Sequence, residues 1–353
     1  MRIGFYIPPE KQRVGGLDLA IFTLRDALAA FGGEVSIDPV TPAGFDVIHF
    51  HGLWQPRFLT LARSCQRFKV PFVVSPHGML EPWAWRHKWW KKWAYFHLLE
   101  RSFINGASGI LATSSLEKVN LARYNFTAAI TEIGLGLPEK AKPGYCEARS
   151  QLGWSDQEFI LLYLSRIHPK KGLHLLLSAL SRLRNDIPKL RLVIVGDGEA
   201  AYLSRIRKFI DAHLGRLPPI DFIGPIWGDA KWIFFKGADL FCLPTYSENF
   251  GLAILESCQV GTPVLTTTAT PWTKFLTSHG FPVAKPDLSG VSEALRQHLA
   301  IGKIGVQKRL SFAESTHSEF SWSSISRNYL EFYQSIVLRS AKGAPESNPI
   351  RVK

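Results

Sequence analysis

Hydrophobic positions fall into short continuous runs that alternate with longer stretches of helical period. RIGFYI reads as a strand and LDLAIFTLRDALAAFG as a helix; VSID and DVIHFHG follow as strands, then a helix ending at Phe68 and the strand of PFVVSPHG. GILATS, LEKVNLARY and AAITEI continue the rhythm as strand, helix and strand. Buried strands joined by helical crossovers imply parallel sheets and an α/β fold.

The stretch LPEKAKPGYCEARSQLGW, rich in Pro, Gly and charge, interrupts this pattern, and a fresh buried strand, FILLYLS, follows it. The alternation then restarts: GLHLLLSALSRLR as helix, LRLVIVGDG as strand and loop, a helix to His213, IDFIGPI, a helix to Gly237, DLFCLPT, a helix from Phe250 to Val260, and PVLTTT. Two α/β domains are therefore predicted, residues 1–150 and 151–321. The tail 341–353 has too little apolar content to fold and is expected to be disordered.

One segment departs from the pattern. Trp83 to Trp93 holds five of the eleven tryptophans, interleaved with Arg86, Lys88, Lys91 and Lys92. On a wheel through 85–104, Trp85, Trp89, Trp93, Phe96 and Phe103 share one flank, and His87, Lys88, Lys91 and Lys92 gather opposite. Two readings stay open: the aromatics wall the domain's own core, or residues 83–104 meet an anionic membrane surface. Single-stranded nucleic acid is a poorer fit, because no recognised nucleic-acid module accompanies the segment, and no nucleic-acid partner is expected.

Composition adds limits. The 353 residues are 46% hydrophobic, a globular composition, and carry a formal net charge of +13 that attracts anions. No run of about 18 apolar residues suggests a membrane span, and MRIGFYIPP lacks the pattern of an export signal. Four cysteines without CxxC spacing read as reduced thiols of a cytoplasmic protein, with no structural metal expected.

Two motifs carry chemistry. In SRIHPKKGL, Arg166 and Lys171 sit where a strand hands over to a helix, and Gly172 permits close backbone approach; two cations beside free amides suit a phosphate. In YSENFGLAILESCQVGTPV, Glu248 precedes a helix and Glu256 follows about two turns later on nearly the same face, so both can enter one cleft. As isolated motifs each could equally be solvated charge or a helix cap, but Glu256 lies in apolar surroundings where a carboxylate needs partners.

Together these motifs resemble glycosyltransferase family four, retaining enzymes of the GT-B fold with two Rossmann-like domains whose parallel sheets face a central cleft. The resemblance runs from Gly15 and Gly16 to Pro271-Trp272 and implies roles by position. Arg166 and Lys171 would bind the diphosphate of a nucleotide sugar, Glu248 the sugar hydroxyls and Glu256 the ribose. Asn249, Phe250, Gly251 and Leu252 would line the sugar and phosphate pocket, with Ile226 near the base. Gly15 and Gly16 match the loop facing donor phosphates and acceptor, and His77 in SPHGM the cleft histidine near the reacting sugar. A helix at about 322–340 would cross back to the first domain. The chain has ATPWTKF where many relatives have Gly-Gly-x-x-Glu, so that loop does not name the donor.

The activity implied is transfer of a hexose from a UDP- or GDP-sugar to a glycan or lipid-linked glycan, in cell-surface polysaccharide assembly, with no cofactor or metal. Localisation would be cytoplasmic, or peripheral at the inner membrane face. The cations and helix amides could neutralise the leaving diphosphate, and the glutamates would be binding groups, unlike a glycosidase pair. His77 ends a strand where α/β clefts open; His49 and His51 in DVIHFHG do likewise, without an assigned role. Alternatives are a GT-B nucleotide-sugar epimerase, a non-enzymatic membrane or nucleic-acid binder, and a dinucleotide-dependent dehydrogenase. The last rests on Gly196, Gly198 and Ala201 in GDGEAA, with Asp221 near the required acidic position.

Overall fold

The computed structural model describes residues 1–13, 16–86, 89–138, 144–183 and 189–342. They form two units, one running to Pro138 and resuming at Phe320, the other ending at Glu319. The first holds strands β1 (Arg2–Tyr6), β2 (Glu34–Ile37), β3 (Val47–His51), β4 (Phe72–Ser75), β5 (Gly109–Ala112) and β6 (Ile130–Glu132). All are parallel, in the order β2-β1-β3-β4-β5-β6. Helices cover both faces of such a sheet, so its central strands are apolar throughout; β3 and β4 are buried at every residue. Phe50 packs edge-on against Phe72 and Phe103, with ring centroids 5.4 and 5.1 Å away.

The second unit holds β7 (Phe159–Leu164), β8 (Leu190–Val195), β9 (Ile220–Gly224), β10 (Leu240–Leu243) and β11 (Val264–Thr266), parallel in the order β11-β10-β7-β8-β9. In each sheet the strand order reverses once, between β1 and β3 and between β7 and β10. Two loops diverge at the carboxyl ends of the strands at such a switch point, leaving a crevice that takes ligands in open α/β sheets.

The boundary lies earlier than the expected 150. The helix Tyr145–Gln151 belongs to the second unit because Arg149, 1% exposed, donates from Nη1 to Asp239 Oδ2 at 3.0 Å, and Tyr145 Oη donates to Asp239 Oδ1 at 2.6 Å. Asp239 also accepts the Ile160 amide at 2.8 Å, tying the helix to β7. The helix Trp322–Ala341 lies on the first unit against the helix Leu17–Ala30 and β3, burying Tyr329 and Tyr333. Most of the tail expected to be disordered lies outside the described residues.

The tryptophan segment does not follow one helical wheel. Pro82–Arg86 and Trp89–Tyr95 are helical, and a π-helical turn over Phe96–Glu100 shifts the later residues around the axis. His87 and Lys88 lie outside the described residues. Trp85, Phe96 and Phe103 turn inward, with Trp85 Nε1 donating to Tyr124 Oη at 2.5 Å, whereas Trp89, Trp90 and Trp93 are 62%, 59% and 57% exposed. The lysines do not gather opposite the aromatics: Lys91 lies over the Trp90 ring, and Lys92 donates to Ala84 O at 2.5 Å. The first reading thus holds for Trp85, Phe96 and Phe103, while Trp89, Trp90 and Trp93 do not wall the core.

Candidate functional site

In the second unit the loops after β7 and β10 meet at the switch point. Gly172 has φ +72°, and a Cβ there would stand 1.9 Å from Pro244 O, so only glycine lets these loops touch. Lys170 O accepts the Tyr246 amide at 2.8 Å and the Thr245 hydroxyl at 2.9 Å, locking the approach. The result is an ion pair between Lys171 Nζ and Glu248 Oε1, with Glu248 buried at 7%. Arg166 is exposed in the same loop and has no ion pair among the described residues.

Gly251, at φ +85°, starts the helix Leu252–Gln259 without a capping side chain; the Ile254 amide donates to Gly251 O at 2.9 Å, and the Leu252 and Ala253 amides remain available to an anion. Asn249 and Leu252 are half-buried beside it. Phe250 is buried, its carbonyl accepting Trp272 Nε1 at 2.5 Å and its ring edge-on to that indole at 5.5 Å. Trp272 belongs to the loop that departs from the family pattern, and here it braces the loop that carries Phe250.

Glu256 points into the same unit's interior, 3% exposed, and its Oε1 lies 2.5 Å from Lys231 Nζ. Lys231 was not picked out in the sequence: it stands 25 positions away and no local motif marks it. Ile226 follows β9 and is half-buried.

The turn Gly196-Asp197-Gly198 has another use than a dinucleotide. A Cβ on Gly196 would lie 2.0 Å from Ser165 O, and one on Gly198 1.9 Å from Ile167 O. These glycines let the turn pack on the loop that carries Arg166, with the Ile167 amide donating to Asp197 O at 2.7 Å. Asp221 is engaged by Arg191 at 3.0 Å. The dehydrogenase reading thus loses both its glycines and its acid.

In the first unit the switch-point loops carry Gly16, which starts the helix Leu17–Ala30, and His51, which ends β3. Gly15 lies outside the described residues. His77 follows β4 at φ +51°, and its Nε2 lies 3.1 Å from His51 Nδ1. His49 sits between Tyr333 Oη and Ser75 Oγ, 2.7 Å from each. Burial holds all three imidazoles below their ordinary range, His77 at about 4, so they are neutral at pH 7.

Two parallel-sheet units, each with its loops converging at a switch point, define an α/β protein of the GT-B class. Two solved structures share the fold: sucrose-phosphate synthase from Thermosynechococcus elongatus (TM-score 0.78, 18% identity, 96% of this chain and 100% of that one) and Anabaena Alr3699/HepE in complex with UDP-glucose (TM-score 0.70, 18% identity, 94% and 99%). The chain belongs to the glycosyltransferase family: residues 2–136 match the Glycosyl transferase 4-like domain and residues 146–313 match Glycosyl transferases group 1. It is 30% identical over 268 residues to the D-inositol 3-phosphate glycosyltransferase of Stackebrandtia nassauensis, covering 69% of this chain and 57% of that protein. The chain spans between about half and two thirds of the length of the curated relatives it matches.

Proposed function

We propose that the protein is a retaining glycosyltransferase that moves a hexose from a UDP- or GDP-sugar to a glycan acceptor carried on a lipid, in cell-surface polysaccharide assembly. The observation that carries this reading is the Lys171–Glu248 pair at the switch point, beside the exposed Arg166 and the uncapped helix at Gly251. A nucleoside diphosphate leaves readily only when its growing charge is neutralised. Arg166, Lys171 and the helix amides would do this, so the reading requires no metal ion. Glu248 would accept hydrogen bonds from sugar hydroxyls while sharing Lys171 with the phosphate, and Glu256, fixed by Lys231, would take the ribose. His77 would also serve the reaction, in the role the family resemblance gives it. Attack would come from the face the diphosphate leaves, whose oxygen takes the acceptor proton, so neither glutamate becomes glycosylated. The UDP-glucose complex of the similarly folded Anabaena protein supports this donor class.

Three exposed indoles with Lys91 support a peripheral membrane contact that would bring the enzyme to a lipid-borne acceptor. No described helix is long and apolar enough to cross a membrane. A thermal-shift panel of UDP-, GDP- and ADP-sugars tests the donor, because a ligand of the native state raises the melting temperature. Failure of all three classes would refute the reading. Replacing Trp89 and Trp93 with Ser should weaken binding to vesicles containing anionic lipid at least tenfold with melting unchanged; unaltered binding removes the membrane contact.

A further inference from the structure

Two observations meet at His77. Its backbone lies in the left-handed region, φ +51°, which costs a non-glycine residue about 1–3 kcal/mol and persists only where the surroundings impose it. Glu117 does so from the helix Ser115–Ala122. Its carboxylate, 1% exposed, accepts the Gly78 amide on Oε1 at 2.5 Å and the Thr113 amide and hydroxyl on Oε2 at 2.8 and 2.9 Å. One buried carboxylate thereby ties the loop after β4 to the end of β5.

The ring is held separately. The His77 and His51 rings meet edge to edge, with centroids 5.3 Å apart and planes 19° from parallel, and His77 Nε2 lies 3.1 Å from His51 Nδ1. His51 in turn lies 3.8 Å, centroid to centroid, from His49, which Tyr333 and Ser75 anchor. His51 is 1% exposed, and among the described residues its Nε2 is buried without a partner and its one hydrogen bond goes to His77. One proton lies between the two rings. Whichever ring holds it, Nδ1 is the only ring nitrogen His77 has left for a ligand, and its protonation is coupled to that of His51: Nδ1 carries the proton when His51 donates and is a bare acceptor when His77 donates.

We propose that His51 and Glu117 are positioning residues that hold His77 in one backbone conformation and one tautomer, presenting Nδ1 to a ligand at the first unit's switch point. Its function rests on the glycosyl-transfer reading; its geometry does not. The test uses the full chain labelled with 15N-histidine, and UDP release from UDP-glucose as the activity probe. In the wild type, two-bond 1H–15N spectra should show His77 as a single tautomer. His51→Asn, whose amide stands near Nδ1, should keep it. His51→Phe, which fills the space without a nitrogen, should give mixed tautomers and lower kcat about tenfold with KM changed less than about threefold. Glu117→Gln should lower kcat similarly. In a His77→Ala background both losses should shrink below about twofold, because the residue they act through is gone. An unchanged His77 tautomer in His51→Phe, or fully additive losses, would overturn the proposal. Wild-type UDP release by His77→Ala would instead remove the site role of His77, while the spectra still decide whether it is positioned.

Discussion

Replacing Lys231 with Met removes the counter-ion of a buried carboxylate without changing the length of the side chain much. At 2.5 Å and an effective dielectric constant of about 20, the pair attracts by about 7 kcal/mol before desolvation is counted. Desolvation of both ions offsets much of that, and breaking buried pairs costs about 3–5 kcal/mol, because the remaining charge is stranded. Glu256 has further contacts that soften the loss, and Lys231 is 18% exposed, so about 3 kcal/mol is expected. For a unit of this size that lowers melting by about 6–12 °C, read by calorimetry of the second unit's transition. Lys231→Met with Glu256→Gln removes the stranded charge and should recover more than half the loss. Donor affinity should stay reduced in both variants, about tenfold, since neither has Glu256 charged and held in place. A drop under about 2 °C in the single variant, or no recovery in the double, would refute the reasoning.

Other outcomes follow from the same geometry. Burial pushes Glu100 up to about 7 although the Trp54 amide donates to it at 3.0 Å. A raised carboxyl pKa contributes stability present below the unfolded value near 4.5 and lost as pH rises through 7, about 3 kcal/mol in all. Glu100→Gln should therefore melt progressively above the wild type from pH 5 to pH 8; parallel melting curves across that range would contradict it. The buried histidines have the opposite sign: their depressed pKa values make stability fall as pH drops below 6.5 toward 4, a loss that His51→Asn should reduce in acid melts. Gly172→Ala meets a carbonyl at 1.9 Å and a left-handed φ, so it should cost about 2–4 kcal/mol and weaken nucleotide-sugar binding by moving Lys171; wild-type melting would show that the two loops do not touch.

Much of the fold was legible because parallel strands buried on both faces leave continuous apolar runs, as FILLYL and LVIV do. The motif from Glu248 to Glu256 was legible because one loop and one helix hold both acids. What was missed depends on residues far apart in the chain. The boundary moved because Arg149 finds Asp239, 90 residues on. Lys231 and the His51–His77 contact are joined to their partners only by the strand order. The tryptophan wheel failed for a local reason: a π-helical turn over Phe96–Glu100 departs from the regular helical period, and Trp85 and Phe96 lie inside while Trp89 and Trp93 lie outside. The glycines of GDG matched a dinucleotide pattern because both uses need a backbone with no Cβ in the way; only the neighbouring carbonyls separate them.

The central claim is that the switch point of the second unit binds a nucleotide sugar through Lys171 and Glu248. Calorimetric titration of UDP- and GDP-hexoses into the wild type and into Lys171→Ala tests it directly. The account predicts saturable binding of at least one donor by the wild type and a loss of at least about thirtyfold in Lys171→Ala, with the protein still folded. Equal affinity in the two proteins, or no binding of either donor class to the wild type, would contradict it.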